Sequence, residues 1–197
     1  MKLVLFDFDG TLTTKDMYTK FILFSATPVR LLLGIIFMSP LYLLYKLGVI
    51  APRKLRPVVS FFAFAGRSKQ QVDAIGLRYA QSIIPNYLCS HALQTLKLHQ
   101  QQGAKIVLVS ASLDLYLKPW CQMMNIELIC SQMASNSMRY TGHYLAGDCS
   151  CNAKADKVTQ QFVLTQFSSV YAYGDTKEDL AMLALADKAF MKGKPHL

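Results

Sequence analysis

Four short runs in this chain are apolar almost without interruption: Leu3 to Phe6 (LVLF), Lys105 to Val109 (KIVLV), Ile126 to Cys130 (IELIC) and Ser169 to Tyr173 (SVYAY). A strand with one wet face alternates apolar and polar residues. A run without that alternation fits a strand covered on both faces, as in a parallel sheet. Helical stretches lie between the runs, at Ser90 to Gln102, Leu113 to Met124, Ala153 to Thr165 and Lys177 to Leu185, with Gly103 placed to end the first. Such alternation predicts an α/β fold, in which ligands bind beyond the carboxyl ends of the strands.

One segment breaks the alternation. From Thr14 to Pro85 no buried strand is followed by a helix; the stretch is helical in character, with breakers at Pro28, Pro40, Pro52, Pro57 and Gly66. It is expected to be an inserted helical cap over residues 14–85, leaving 1–13 and 86–197 as the core. A smaller insert, Met138 to Tyr144, is expected to be a hairpin turning at Thr141-Gly142.

The first apolar run ends in Asp7-Phe8-Asp9-Gly10-Thr11. Two positions apart on a strand end, the Asp7 and Asp9 carboxylates project to the same side. Gly10 permits a sharp turn and a close approach of backbone to ligand. Such a pair suits phosphoryl transfer: one carboxylate attacks phosphorus, and the other protonates the leaving oxygen and later activates water. The like-charge cost calls for a hard cation such as Mg²⁺. A solvated strand-end turn is the plain alternative, but at ordinary residue frequencies the pattern DxDGT arises by chance only about once in 10⁵ positions.

FDFDGTL resembles motif I of the haloacid dehalogenase superfamily of phosphohydrolases. The later motifs follow in order. Ser110 ends the strand KIVLVSAS in the place of motif II, with the Ala111 and Ser112 amides beside it. VYAYGDTKEDLAML is similar to the acidic motif IV, offering Asp175 and Asp179 after Gly174. Read alone, Asp175 would be a helix N-cap forming a capping box with Glu178. For the motif III lysine, AKADKV resembles the KAxxL form of the phosphoserine phosphatase-like subgroup and selects Lys154; an alignment to the related EKV form selects Lys157.

The resemblance implies a Rossmann-like parallel sheet with helices on both faces, a helical cap between motifs I and II, and a Mg²⁺-dependent phosphomonoester hydrolase. Asp7 would be the nucleophile and Asp9 the acid and base. Ser110 and Lys154 would hold the phosphoryl group, with Gly10, Thr11, Ala111 and Ser112 lining it. Asp7, Asp9, Asp175 and Asp179 would serve the metal. The expected substrate is a small phosphorylated metabolite. A phosphotransferase using the same intermediate stays open, as does a non-catalytic binding protein on this fold. A signalling receiver domain gives no reason for DxDGT or the long insert.

The insert carries the main departure. Phe21 to Ile50 holds only two charges, Arg30 and Lys46, and its near-spanning part is interrupted by Pro40. A single crossing would put the two ends of the insert on opposite sides, so a helical hairpin broken at Ser39-Pro40 is expected. It is read first as buried in the cap, and second as contacting a membrane surface. The net charge of +9, with Arg53, Lys54, Arg56, Arg67 and Lys69 following the apolar stretch, favours an anionic partner: a phosphorylated substrate or an acidic membrane. A lipid-phosphate phosphatase of the phosphatidylglycerophosphatase kind is therefore the alternative function. Arg53 and Arg67 are candidates for a second anionic group of a substrate, and solvated surface charge for most others.

The basic residues are scattered and no nucleic-acid signature occurs, so no nucleic-acid partner is expected. Five cysteines in no framework spacing and no signal peptide lead to a cytoplasmic expectation, with peripheral placement at the inner membrane face as its variant. Cys149 and Cys151 are read as unrelated thiols. Trp120, Met123 and Met124 are read as packing residues, and the four histidines have no ligand spacing.

Overall fold

The computed structural model describes residues 1–48 and 51–196, leaving aside the side chains at 38, 40–42, 44 and 45. Strand β1 (Lys2–Phe6) is central in a six-stranded sheet. On one side stand β2 (Lys105–Leu113) and then β3 (Glu127–Ser131); on the other β6 (Ser169–Gly174), β7 (Lys188–Met191) and β8 (Lys194–His196). The first five are parallel and β8 returns antiparallel to β7. The strand order reverses beside β1, which opens a crevice at its carboxyl end.

The uninterrupted apolar runs have the predicted cause. In β1, Leu3 and Leu5 enter one core cluster with Val107 and Val109, while Val4 and Phe6 enter another with Ile106 and Leu108. Helices α7 (Asn152–Gln161) and α8 (Leu180–Leu183) cover the first face; α5 (Ser90–Gln101) and α6 (Asp114–Met124) cover the second. The result is a Rossmann-like α/β fold. On the second face Phe6, Tyr173 and Phe190 stand in register on three strands and stack, with centroid spacings of 4.5 and 4.8 Å.

Among the described residues four α-helices lie between β1 and α5: α1 (Met17–Ser25), α2 (Pro28–Lys46), α3 (Pro52–Phe64) and α4 (Lys69–Ser82). Phe21 of α1, Phe64 of α3 and Tyr79 of α4 join Tyr116 and Trp120 of α6 in the second-face core. Gly76 permits this contact, because a Cβ there would lie 1.9 Å from the Leu115 carbonyl oxygen. Helix α2 is different: among the described residues it supplies no buried side chain.

Several expectations are corrected. The backbone of α2 continues through Ser39 and Pro40, so the hairpin is not broken there; its arms are α2 and α3, and residues 49 and 50 of the connection lie outside the described residues. Among the described residues α2 buries no side chain, which departs from the buried-hairpin expectation; it meets α3 through Phe37 stacked on Phe62 and through Arg30 donating to the Phe62 and Ala65 carbonyls. The small hairpin pairs β4 (Met133–Ser135) with β5 (Tyr140–Tyr144), and it turns at residues 136–139. Asn136 Oδ1 accepts from the Met138 and Arg139 amides and fixes that turn. Gly142 is instead a strand residue against α3, where a Cβ would meet Ala65 and Phe61. Helix α7 ends four residues earlier than expected, where Phe162 turns extended and packs into the core. Lys177–Asp179 is a 3-10 turn leading into α8, and Met123 is exposed.

Candidate active site

Asp7 follows the last residue of β1 and its amide donates to the Tyr173 carbonyl of β6, which places its side chain at the crevice. The carboxylate is buried. Lys154, in the first turn of α7, donates Nζ to Asp7 Oδ1 at 2.5 Å and to Asp179 Oδ1 at 2.5 Å. Thr11 donates to the other Asp7 oxygen at 3.3 Å. Lys157 lies one turn on and points to the Cys130 carbonyl, so of the two candidate lysines Lys154 reaches the acidic group.

Asp175 and Asp179 come from the turn after β6. Asp179 Oδ2 accepts from the Asp175 and Thr176 amides and the Thr176 hydroxyl, so the capping box is formed by Thr176 and Asp179, not by Asp175 and Glu178. Carboxylate oxygens of Asp7, Asp175 and Asp179 gather within 4.8 Å of one another. Gly10, at φ +82°, lets the chain pass against this group; a Cβ there would sit 2.1 Å from Asp175 Oδ2. The Asp9 side chain is outside the cluster. Its Oδ1 accepts from the Met17 amide at the start of α1 at 2.6 Å, and Oδ2 from the Ser112 hydroxyl at 2.5 Å.

Ser110 lies in β2 where the pairing with β3 shifts register, a local bulge that re-aims Ser110, Ala111 and Ser112. Ser110 Oγ accepts from the Ser112 amide at 3.1 Å, so that amide serves the turn itself. Ala111 is half-buried, and its carbonyl accepts from Ser131. Arg67 donates to the Ser25 and Ala63 carbonyls and is no part of this group; Arg53 is exposed.

Electrostatics separate these carboxyls. Burial pushes Asp7 up to about 7, against the opposing pull of Lys154. Burial does the same to Asp9, also to about 7, with the Ser112 hydrogen bond opposing. Asp175 rises to about 6 through burial and the nearby Asp179. Burial alone would raise Asp179 as well, but Lys154 outweighs it and holds that carboxyl below its ordinary value. Burial likewise favours neutral Lys154, and Asp7 with Asp179 overcome this to keep it charged. Three carboxylates thus face one ammonium. The residual negative charge and the all-oxygen donor set fit a hard divalent cation such as Mg²⁺.

The model of haloacid dehalogenase-like hydrolases matches residues 4–184. The chain belongs to this family. Protein CicA of Caulobacter vibrioides (strain NA1000 / CB15N) is 29% identical over 98% of this chain and 88% of that protein. Among solved structures, a protein of unknown function from Bordetella pertussis Tohama I superposes with a TM-score of 0.79 at 19% identity, over 96% of this chain and 89% of the other. A substrate-bound phosphoserine phosphatase superposes with a TM-score of 0.67 at 16% identity, over 95% and 84%. These structures share the fold of the hydrolase described here.

Motif reasoning missed a second polar group beside the family site. Arg56 of α3 meets Asp148, in the loop before α7, and Glu178, next to Asp179. These three residues fall in no motif, and in the sequence Arg56 stands only as one of three basic residues at the start of α3.

Proposed function

We propose that this hydrolase is a Mg²⁺-dependent phosphatase that cleaves phosphomonoesters through an aspartyl-phosphate on Asp7. The observation that carries this is the convergence of Asp7, Lys154, Asp175 and Asp179 from three separate segments at the carboxyl end of the sheet. An Asp7 oxygen attacks phosphorus as the ester P–O bond breaks, and protonated Asp9 gives its proton to the leaving oxygen. Asp9 then takes a proton from water, whose oxygen attacks the acyl phosphate; inorganic phosphate leaves and Asp7 is restored. A carboxyl held near 7 is suited to both directions of transfer.

Ser110 and Lys154 hold the phosphoryl oxygens, with the Gly10 and Thr11 backbone and the Ala111–Ser112 turn as the surrounding wall. Asp7, Asp175 and the Asp9 carbonyl would hold Mg²⁺, with Asp179 orienting Asp175 and Lys154. Bound there, the ion would supply charge neutralisation between carboxylates and phosphate. Helices α1–α4 act as the cap that excludes water and selects the substrate, a small phosphorylated molecule.

The Asp7→Asn variant is expected to lose hydrolysis of p-nitrophenyl phosphate in Mg²⁺ by about 10⁴-fold. Full turnover by that variant removes Asp7 as nucleophile. Failure of the unaltered chain to hydrolyse any phosphate ester returns the fold to a binding role. A lipid phosphate is the second reading of the substrate, favoured by the apolar exposed face of α2; a screen pairing soluble esters with lipid phosphates in mixed micelles separates the two.

A further inference from the structure

From Met17 to Val72 the chain has no Asp or Glu, yet it carries eight Lys and Arg, nearly the whole net charge of +9. Those residues make up α1, α2, α3 and the start of α4. Within them α2 presents an apolar stripe to solvent. Val29, Leu32 and Ile36, two turns on Leu43, and Leu47 just past the helix end fall along one face and are 69%, 60%, 56%, 60% and 67% exposed. Ile35 and Phe37 widen the stripe. Exposed basic side chains, Arg53 and Lys54, stand just across the connection at the start of α3.

Water does not favour such a surface. Monomers in solution rarely leave a continuous apolar patch of this extent uncovered, and its presence marks a place of association. The nature of the occupant follows from the charges. A second copy meeting the same face would bring two carboxylate-free, basic surfaces together, and each added Lys–Arg encounter is repulsive. An anionic lipid surface reverses both terms: its acyl boundary takes the apolar stripe and its headgroups face Arg53 and Lys54.

We propose that α2, with the first turn of α3, docks in the plane of an anionic phospholipid bilayer. The attachment to α3 is built to stay intact when it does so. Arg30 donates to two carbonyls at the C-terminal end of α3, at 2.8 Å each, and Phe37 stacks on Phe62. Docking needs none of Asp7, Asp9, Lys154 or Asp175, so it stands or falls apart from the catalytic proposal.

The test is flotation of the full chain with vesicles of phosphatidylcholine alone and of an equimolar mixture with phosphatidylglycerol. Partition onto the mixed vesicles is expected to exceed that onto the neutral ones at least about tenfold, and to weaken as salt is added. Ile36→Glu is expected to lower it about tenfold or more. The paired change Arg53→Ala with Lys54→Ala is expected to lower it about thirtyfold. Both variants should keep the unaltered melting midpoint and helical circular dichroism. No flotation on mixed vesicles, or flotation unaffected by Ile36→Glu, overturns the proposal. So does a concentration-dependent dimer in sedimentation that Ile36→Glu dissolves while vesicles stay unbound, because it assigns the face to a second copy.

Discussion

The Arg56 guanidinium meets the Asp148 carboxylate through two hydrogen bonds, Nε to Oδ2 at 2.7 Å and Nη2 to Oδ1 at 3.1 Å. Nη2 also reaches Glu178 at 3.0 Å. Burial alone would favour a neutral guanidinium, but the two carboxylates outweigh it and hold the charge more firmly than in water. The Tyr18 hydroxyl donates to the Arg56 carbonyl, tying α1 to the same point. One side chain of α3 therefore joins the inserted helices to the loop before α7, whose first turn holds Lys154, and to the turn that holds Asp179.

This arrangement predicts a coupled loss. Arg56→Lys keeps a charge but cannot form the paired fork while also bridging Glu178. It is expected to cost about 2 kcal/mol, less than a fully buried pair because the partners are partly wet. Urea midpoints of Arg56→Met, Asp148→Asn and the double variant measure the coupling. Strictly additive losses would mean that the fork does not hold these elements together.

The acidic cluster predicts a sign reversal with metal. Without a cation, Asp175 repels Asp179, so Asp175→Asn is expected to leave stability unchanged or raise it. With Mg²⁺ present the order inverts. The unaltered chain should gain about 2.7 kcal/mol at a hundredfold excess over the dissociation constant, and the variant much less. Thermal melts in Mg²⁺ and in a chelator check both halves, and equal Mg²⁺ shifts in the two proteins would exclude Asp175 as a ligand.

Gly76 predicts a failure of ordinary helix reasoning. It lies inside α4, where Gly→Ala would raise helix propensity by about 1 kcal/mol. The added Cβ would meet Leu115 backbone at 1.9 Å, which side-chain rotation cannot relieve. The overpacking cost of about 1–3 kcal/mol is expected to win. A lowered urea midpoint for Gly76→Ala is the expected result, and a raised one would show that α4 can move away from α6.

The parts legible in the sequence were those with a local cause. Asp7 and Asp175 directly follow strands that are apolar on both faces, and Ser110 lies inside β2, which runs on to Leu113, so the same pattern marks strand and candidate site. Lys154 and Lys157 are one helical turn apart, and only the packing of α7 brings the first to Asp7. Arg56 was named as a basic residue, but its partners lie 92 and 122 positions away and belong to no motif. An all-apolar helix has the same pattern whether buried or interfacial, so α2 could not be placed by pattern alone. Strands β7 and β8 escaped because each is short, and β8 is exposed throughout.

His99 of α5 gives the pH dependence. Its ring is buried, with Nε2 3.0 Å from the Tyr173 hydroxyl and Nδ1 without a partner. Burial, with Lys2 second, lowers its pKa below the ordinary 6.5. The unfolded chain therefore binds a proton at a higher pH than the folded one. Between 6.5 and the lower folded value, stability falls as pH falls; above 6.5 both states carry neutral histidine and this contribution is complete. Replacing His99 by Gln removes the linkage. The stability difference between the two proteins should be flat above pH 6.5 and move against the unaltered chain as pH falls below it. Parallel curves through that window would show that His99 accepts its proton as readily in the fold as out of it.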